Sequence, residues 1–232
     1  MLNFNDFLNN EEAINEGVYD KNIFKAFFLA GGPGSGKSWV SARTLMGQGM
    51  KVINSDDGFE RYAKNAGLNL KKMGSFTAAQ TKKKDALRSR AKVGTAYMHQ
   101  HAIDGRLGMI LDSTARDTAR IESEAQSMRY LGYDTYMVFV NTTLEVALKR
   151  NEMRPRSVPE PIVINSHRQI QKNIPKLKAI FGTKSFVEVD NSVEAEDVNI
   201  KVYKEIQKLV RSKPSSPMAQ AWINNELAKK RR

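Results

Sequence analysis

The sequence predicts an α/β fold with a five-stranded parallel sheet, and three observations carry that prediction. Short apolar strands alternate with helices along the chain. A glycine loop, Gly31-Gly32-Pro33-Gly34-Ser35-Gly36-Lys37-Ser38, lies between the first strand and the first helix and fits G-x-x-x-x-G-K-[ST]. Further along, an apolar strand, Met109-Ile110-Leu111, ends in Asp112.

The elements read in order as follows. Residues 24–30 are the first strand, and 39–46 continue from the loop as a helix, which is the strand–loop–helix context the motif requires. Residues 50–54 are a second short strand, and Ser55-Asp56-Asp57 opens a helix through about Asn65. Residues 77–104 are mostly helical, with Gly94 as a candidate break, and 107–112 form the third strand. A helix over 115–131 closes at Gly132. Residues 133–140 are the fourth strand, and Thr142-Thr143-Leu144-Glu145 fits a capping box that starts the next helix. Pro155, Pro159 and Pro161 interrupt the pattern before a helix resumes to about Phe181. Residues 185–190 are the fifth strand and 194–211 a closing helix. Pro214-Ser215-Ser216-Pro217 reads as a linker into a basic tail. The organisation is therefore an acidic extension over 1–24, one nucleotide-binding domain over 25–211, and a linker and tail over 212–232.

Composition narrows the classes. A chain of 232 residues with 41% hydrophobic content suits one α/β domain with added elements and a sizeable core. The absence of cysteine excludes disulfides, thiolate metal sites and a cysteine nucleophile, and suits a reducing cytoplasm. No apolar run approaches the ~20 residues of a membrane span, and the acidic start lacks the pattern of a secretory signal. Three scattered histidines argue against a histidine-rich metal site. The net charge of +12 is uneven: 1–24 is acidic, whereas 71–92 carries eight bases against Asp85, and 211–232 six against Glu226. Such clusters favour polyanionic partners, here nucleic acid, although a solvated lysine face would look the same.

The motifs place chemistry at the strand ends. Glycines let backbone N–H groups converge on phosphate oxygens, so Gly32, Pro33, Gly34, Ser35, Gly36, Lys37, Ser38 and Trp39 form the expected ATP-binding set. Lys37 reaches the β- and γ-phosphates, and Ser38 ligates Mg²⁺. Asp112, as a Walker B carboxylate, would join Ser38 at the Mg²⁺; the competing role is a helix cap. Asp56 is the candidate general base for an acceptor hydroxyl, with Asp57 as the alternative, and capping again competes. Arg150 and Arg154 are four apart, on one face of a helix that runs into a proline-bent segment carrying Arg156. They suit a lid that neutralises charge on the transferring phosphoryl group.

These residues resemble the phage-type polynucleotide kinase and zeta-toxin group of P-loop kinases over roughly residues 25–192. The loop matches through Pro33-Gly34-Ser35-Gly36-Lys37-Ser38. Ile53-Asn54-Ser55-Asp56-Asp57 resembles the segment with the catalytic aspartate, which maps to Asp56. Thr81-Lys82-Lys83-Lys84-Asp85 resembles a run in the same region of that family, and Asp112-Ser113-Thr114 falls where it has Asp-Thr-Asn. Lys149-Arg150-Asn151, Arg154 and Val158-Pro159 resemble its lid. The resemblance implies the strand order 2-3-1-4-5 and phosphoryl transfer from ATP to a hydroxyl. It also suggests a bacteriophage source and a host cytoplasm. The family's substrate-binding arginine has no match: Phe59 stands in its place, and Arg61 is the nearest candidate. Three readings follow: a kinase of nucleic acid 5′-hydroxyls, favoured by the basic segment; a kinase of a nucleotide sugar or other small molecule; and an ATP-binding assembly protein. A motor ATPase fits less well, because Ser113 stands where its water-activating glutamate would be.

Overall fold

Every residue of β1 (Lys25–Ala30) is buried, as a central strand covered on both faces requires. It is flanked by β3 (Met109–Asp112) and β4 (Asp134–Asn141), with β2 (Lys51–Ile53) and β5 (Phe186–Asp190) at the edges. All pairs are parallel and the order is β2-β3-β1-β4-β5, as the resemblance implies. The computed structural model describes residues 17–45, 48–153, 158–193 and 196–231.

The strands' twofold alternation sorts the core into two layers. Ala26, Phe28, Met109, Leu111, Met137 and Phe139 face one side, against Ile121, Met128, Ile170 and Leu177. Those partners come from α4 (Thr118–Tyr130) and α6 (Glu160–Phe181). Phe27, Leu29, Ile110, Val138 and Val187 face the other side. There they meet Val40 of α1 (Lys37–Thr44) and Val202, Ile206 and Val210 of α7 (Glu196–Arg211). A smaller third cluster of Phe59, Ala63, Leu68 and Ala91 joins α2 (Ser55–Asn65) to α3 (Ala78–Asp104). α5 (Leu144–Glu152) follows β4.

Several boundaries differ from the sequence reading for local reasons. α3 runs through Gly94 without a break; a Cβ there would meet nothing, so the glycine answers no close contact. The capping box lies on α3, where Thr77 and Gln80 exchange side-chain and backbone bonds. On α5 the cap is Thr143 alone, bonded to Val146 N–H. α4 begins at Thr118, because Ala115 takes a left-handed φ of 58° and Asp117 caps the helix.

The segment read as a linker and tail folds as α8 (Pro217–Lys230), packed on the sheet end where the strands begin. Ala219 is fully buried, and the Trp222 ring meets Phe24 edge-on at 5.6 Å. A buried ion pair anchors this end. Lys25, with no exposed side-chain surface, bonds Asp134 at 2.7 Å and Ser212 at 3.0 Å. Asp134 also accepts from Ser215 N–H ahead of α8. Burial lowers the Lys25 pKa, and the Asp134 hydrogen bond and charge oppose that shift. Removing the partner alone leaves a buried cation. Asp134→Ala should therefore destabilise the fold by about 3–5 kcal/mol, and Lys25→Met with Asp134→Leu by much less, as read by chemical denaturation.

Candidate active site

The site lies at the carboxyl ends of β1, β2 and β3. Gly36 precedes α1 with φ 85°, and Gly34 has φ 76°, conformations that glycine adopts without strain. Neighbours make the same demand. A Cβ on Gly34 would run into the Ala147 carbonyl, and one on Gly36 into the Asn191 side-chain amide. Lys37 Nζ donates to the Gly31 carbonyl at 2.9 Å. The Ser35 hydroxyl is buried with no protein partner. A cradle that a Cβ would fill, a lysine over it and an unused hydroxyl within it fit a bound polyphosphate. Trp39 is half-buried and packs against the second core layer behind the loop.

β3 aligns Asp112 with Leu29, so its carboxylate stands beside the strand that feeds the loop. Its surface is open to water, yet the protein around it raises its pKa above the usual value, desolvation being the largest cause. The Lys37 ammonium opposes the rise, and the charges of Asp56 and Asp57 add to it. Three residues singled out in the sequence thus bear on a fourth, Asp112, at one end of the sheet. The capping roles that competed for them fall to others: Asn54 caps α2 by accepting from Asp56 N–H at 2.8 Å, and Asp117 caps α4. No cluster of three or more His, Cys, Asp or Glu residues able to hold a metal occurs among the described residues. A hydroxyl (Ser38) and a carboxylate (Asp112) nonetheless suit Mg²⁺, a hard cation that takes its remaining ligands from water and phosphate.

Asp56 is half-buried and Asp57 exposed. The cation at Asp56 is Arg88 of α3, whose Nη1 lies 2.9 Å from Oδ1. Arg61, the nearest candidate by sequence, turns onto the Tyr62 ring at 5.6 Å instead. Sequence reasoning missed Arg88; its signal is the spacing Arg88, Ala91, Thr95, one stripe of α3 facing α2.

Arg150 is placed at the loop, and Arg154 lies outside the described residues, as do Pro155 and Arg156. α5 ends at Glu152, with Met153 as its cap. Arg150 donates to the Asn191 carbonyl at 2.7 Å, and Asn191 Nδ2 donates to the Ser35 carbonyl at 2.8 Å. Buried Asn191, also missed in the sequence, therefore ties the phosphate loop to the root of the expected lid. Asn151 bonds both the N–H and the carbonyl of Val158, closing the chain on either side of 154–157.

A parallel sheet in this order, with the glycine loop after its central strand, defines a P-loop kinase fold, and solved structures share it. A structure from Chloroflexus aurantiacus aligns at 14% identity over 80% of this chain and 96% of its own, with TM-score 0.50. The PezAT chromosomal toxin–antitoxin system of Streptococcus pneumoniae aligns at 14% over 80% and 84%, with TM-score 0.50. The AvrRxo1-ORF1:AvrRxo1-ORF2 structure with sulphate ions aligns at 16% over 77% and 63%, with TM-score 0.52. At these identities the likeness is one of fold. The chain belongs to the Zeta toxin family, whose model matches residues 16–212. No curated protein matches it. The family match ends before α8.

Two outcomes follow from the geometry. The folded state disfavours ionised Asp112, so this cost is present above its raised pKa and disappears as pH falls through it. Asp112→Asn should then raise Tm at neutral pH without divalent ions and shift it little in acid, while weakening Mg²⁺-dependent ATP binding. Asn191→Asp keeps the shape but sets an acceptor against the Ser35 carbonyl. It should weaken ATP binding roughly 5- to 100-fold, the weight of an unmade buried hydrogen bond, as measured by calorimetry.

Proposed function

We propose that the protein is an ATP-dependent kinase that transfers the γ-phosphoryl group to a hydroxyl, with a nucleic acid 5′-hydroxyl as the favoured acceptor. One observation carries this reading: Asp112 ends the strand beside the one that feeds the phosphate loop, and Lys37, Asp56 and Asp57 all bear on its charge there. The loop amides and Lys37 hold the polyphosphate. Asp56 takes the proton of the acceptor hydroxyl. That oxygen bonds the γ-phosphorus as the bond to the β,γ-bridging oxygen breaks, and ADP leaves with the electron pair. Arg150 and Arg154 neutralise the equatorial oxygens in the loose transition state. Mg²⁺ held by Ser38 and Asp112 would supply further charge neutralisation on the β- and γ-phosphates.

The nucleic acid acceptor is supported by position. α3, exposed over most of its length, carries Lys82, Lys83, Lys84, Arg90 and Lys92 on the helix that brings Arg88 to Asp56. Membership of the Zeta toxin family keeps open a second acceptor, a nucleotide sugar or other small molecule. No helix among the described residues is long and apolar enough to cross a membrane.

Labelled ATP offered to 5′-hydroxyl oligonucleotides, nucleosides and uridine diphosphate sugars separates these readings. The expected result is label on the oligonucleotide, lost in Lys37→Ala. Asp56→Asn should lower turnover by about 10²–10⁴ with ATP affinity retained. Label on the sugar nucleotide alone would select the second acceptor, and label on none would overturn the kinase reading.

A further inference from the structure

We propose that the acidic segment 1–16 docks on α8 of its own chain and keeps the basic end of that helix from binding nucleic acid. The inference holds whichever acceptor the kinase takes. It rests on where the two ends of the chain meet and on the order of side chains along each.

Residues 1–16 precede the described chain, which begins beside α8. The turn Gly17–Tyr19 packs against that helix. Lys230 Nζ, in the last turn of α8, lies 4.7 Å from the centroid of the Tyr19 ring, and Tyr19 is 56% exposed. The segment ahead of Gly17 therefore departs from the basic end of α8. Underneath, Ala219 and Trp222 hold the helix against the sheet end, Trp222 on Phe24.

The surface of α8 has two parts. A groove of about 390 Å³ is lined by Trp222, Asn225, Glu226, Ala228 and Lys229. Trp222, Asn225, Glu226 and Lys229 recur at i, i+3, i+4 and i+7, so they share one face. Glu226 and Lys229 pair at 2.6 Å, which leaves this face without net charge. Beyond it stand exposed Lys230 and Arg231, followed in the sequence by Arg232. These cations suit the negative end of the helix dipole, but the last turn already has Lys229 for that.

The segment matches both parts, and in the right order. Its charges are Asp6, Glu11, Glu12 and Glu16, with no lysine or arginine. Glu11, Glu12 and Glu16 are nearest Gly17 and so nearest Lys230 and Arg231. Phe4, Phe7 and Leu8 come further from Gly17, as Trp222 and the groove come further along α8. Reach is not limiting. The ten residues from Phe7 to Gly17 extend up to roughly 35 Å, whereas Trp222 and Lys230 are about 12 Å apart along the helix. The tether also gives the segment a high effective concentration at α8. Contacts that are individually weak and salt-screened then suffice to compete with a nucleic acid strand. The bases of α3 are the competing dock for the same acids, but Arg88 of that helix stands at Asp56, at the other end of the sheet.

Disulfide trapping tests the docking in the full chain, which has no cysteine of its own. Asn10→Cys is combined either with Asn225→Cys, in the groove, or with Tyr97→Cys, on an exposed part of α3. At low salt the Asn225 pair should cross-link roughly tenfold faster than the Tyr97 pair, as local docking concentrates one thiol near the other. Glu11→Gln with Glu12→Gln, or about 0.5 M salt, should remove most of that advantage, which a mere tether would not lose. Fluorescence anisotropy with a labelled oligothymidine reads the shielding. Without the cysteines, Glu11→Gln with Glu12→Gln should tighten binding roughly 2- to 10-fold, the weight of two exposed charge pairs. The gain should vanish when Lys230→Gln and Arg231→Gln are added. Equal cross-linking rates, a faster Tyr97 pair, or rates indifferent to salt and to the acids would overturn docking on α8. The expected cross-linking without tighter oligothymidine binding would overturn the shielding.

Discussion

The close approach of the phosphate loop to its neighbours is the constraint on which the site depends. Gly34 lies against the Ala147 carbonyl of α5 and Gly36 against the Asn191 amide after β5. A loop that must present N–H groups inward has few side chains with which to fix itself, Lys37 on the Gly31 carbonyl being one. Its shape is instead imposed from outside, by one helix and one asparagine. Because Asn191 also receives Arg150, the loop and the end of α5 form one unit: whatever displaces Arg150 pulls on the residue that bonds the Ser35 carbonyl. Asn151 bonds both the N–H and the carbonyl of Val158, which joins the end of α5 to the residues ahead of α6.

The acceptor side is built differently. Its core is the small cluster of Phe59, Ala63, Leu68 and Ala91, and helix separation is set by Gly58 and Ala91 rather than by large side chains. A short distance between α2 and α3 is what allows a side chain on one helix to reach the first turn of the other. Two carboxylates at that turn would repel an anionic substrate on their own. An arginine lodged beside the half-buried one, with the exposed bases of α3 on the same helix, opposes that repulsion.

The sequence made the sheet legible because β1, β3 and β4 are apolar runs and the glycine loop marks the central strand. The carboxylates were legible in place but not in role. Asp56 and Asp112 both stand where a helix cap could be needed, and only the structure assigns the caps to Asn54 and Asp117. Arg88 and Asn191 were hidden for another reason: each reaches its partner across the fold, Asn191 to a loop 156 residues earlier. No local pattern encodes the Asn191 contact, whereas Arg88 had only the faint signal of its stripe on α3. The helix within the basic tail was not legible because its few apolar residues, buried Ala219 and Trp222 against Phe24, are set among charged ones.

That docking also separates the two basic segments. α8 sits where the strands begin and the phosphate loop where they end. A six-residue β1 puts roughly 20 Å between them. A mononucleotide or sugar nucleotide cannot touch both. Part of the tail's charge is already engaged, Lys229 with Glu226 and Lys230 over the Tyr19 ring. What remains acts on an acceptor only as a long-range, salt-screened attraction. The α3 bases and Arg88 lie instead on the helix that reaches Asp56. For a short acceptor, charge near the reacting hydroxyl therefore comes from α3, and the net charge of +12 overstates what the site itself can use.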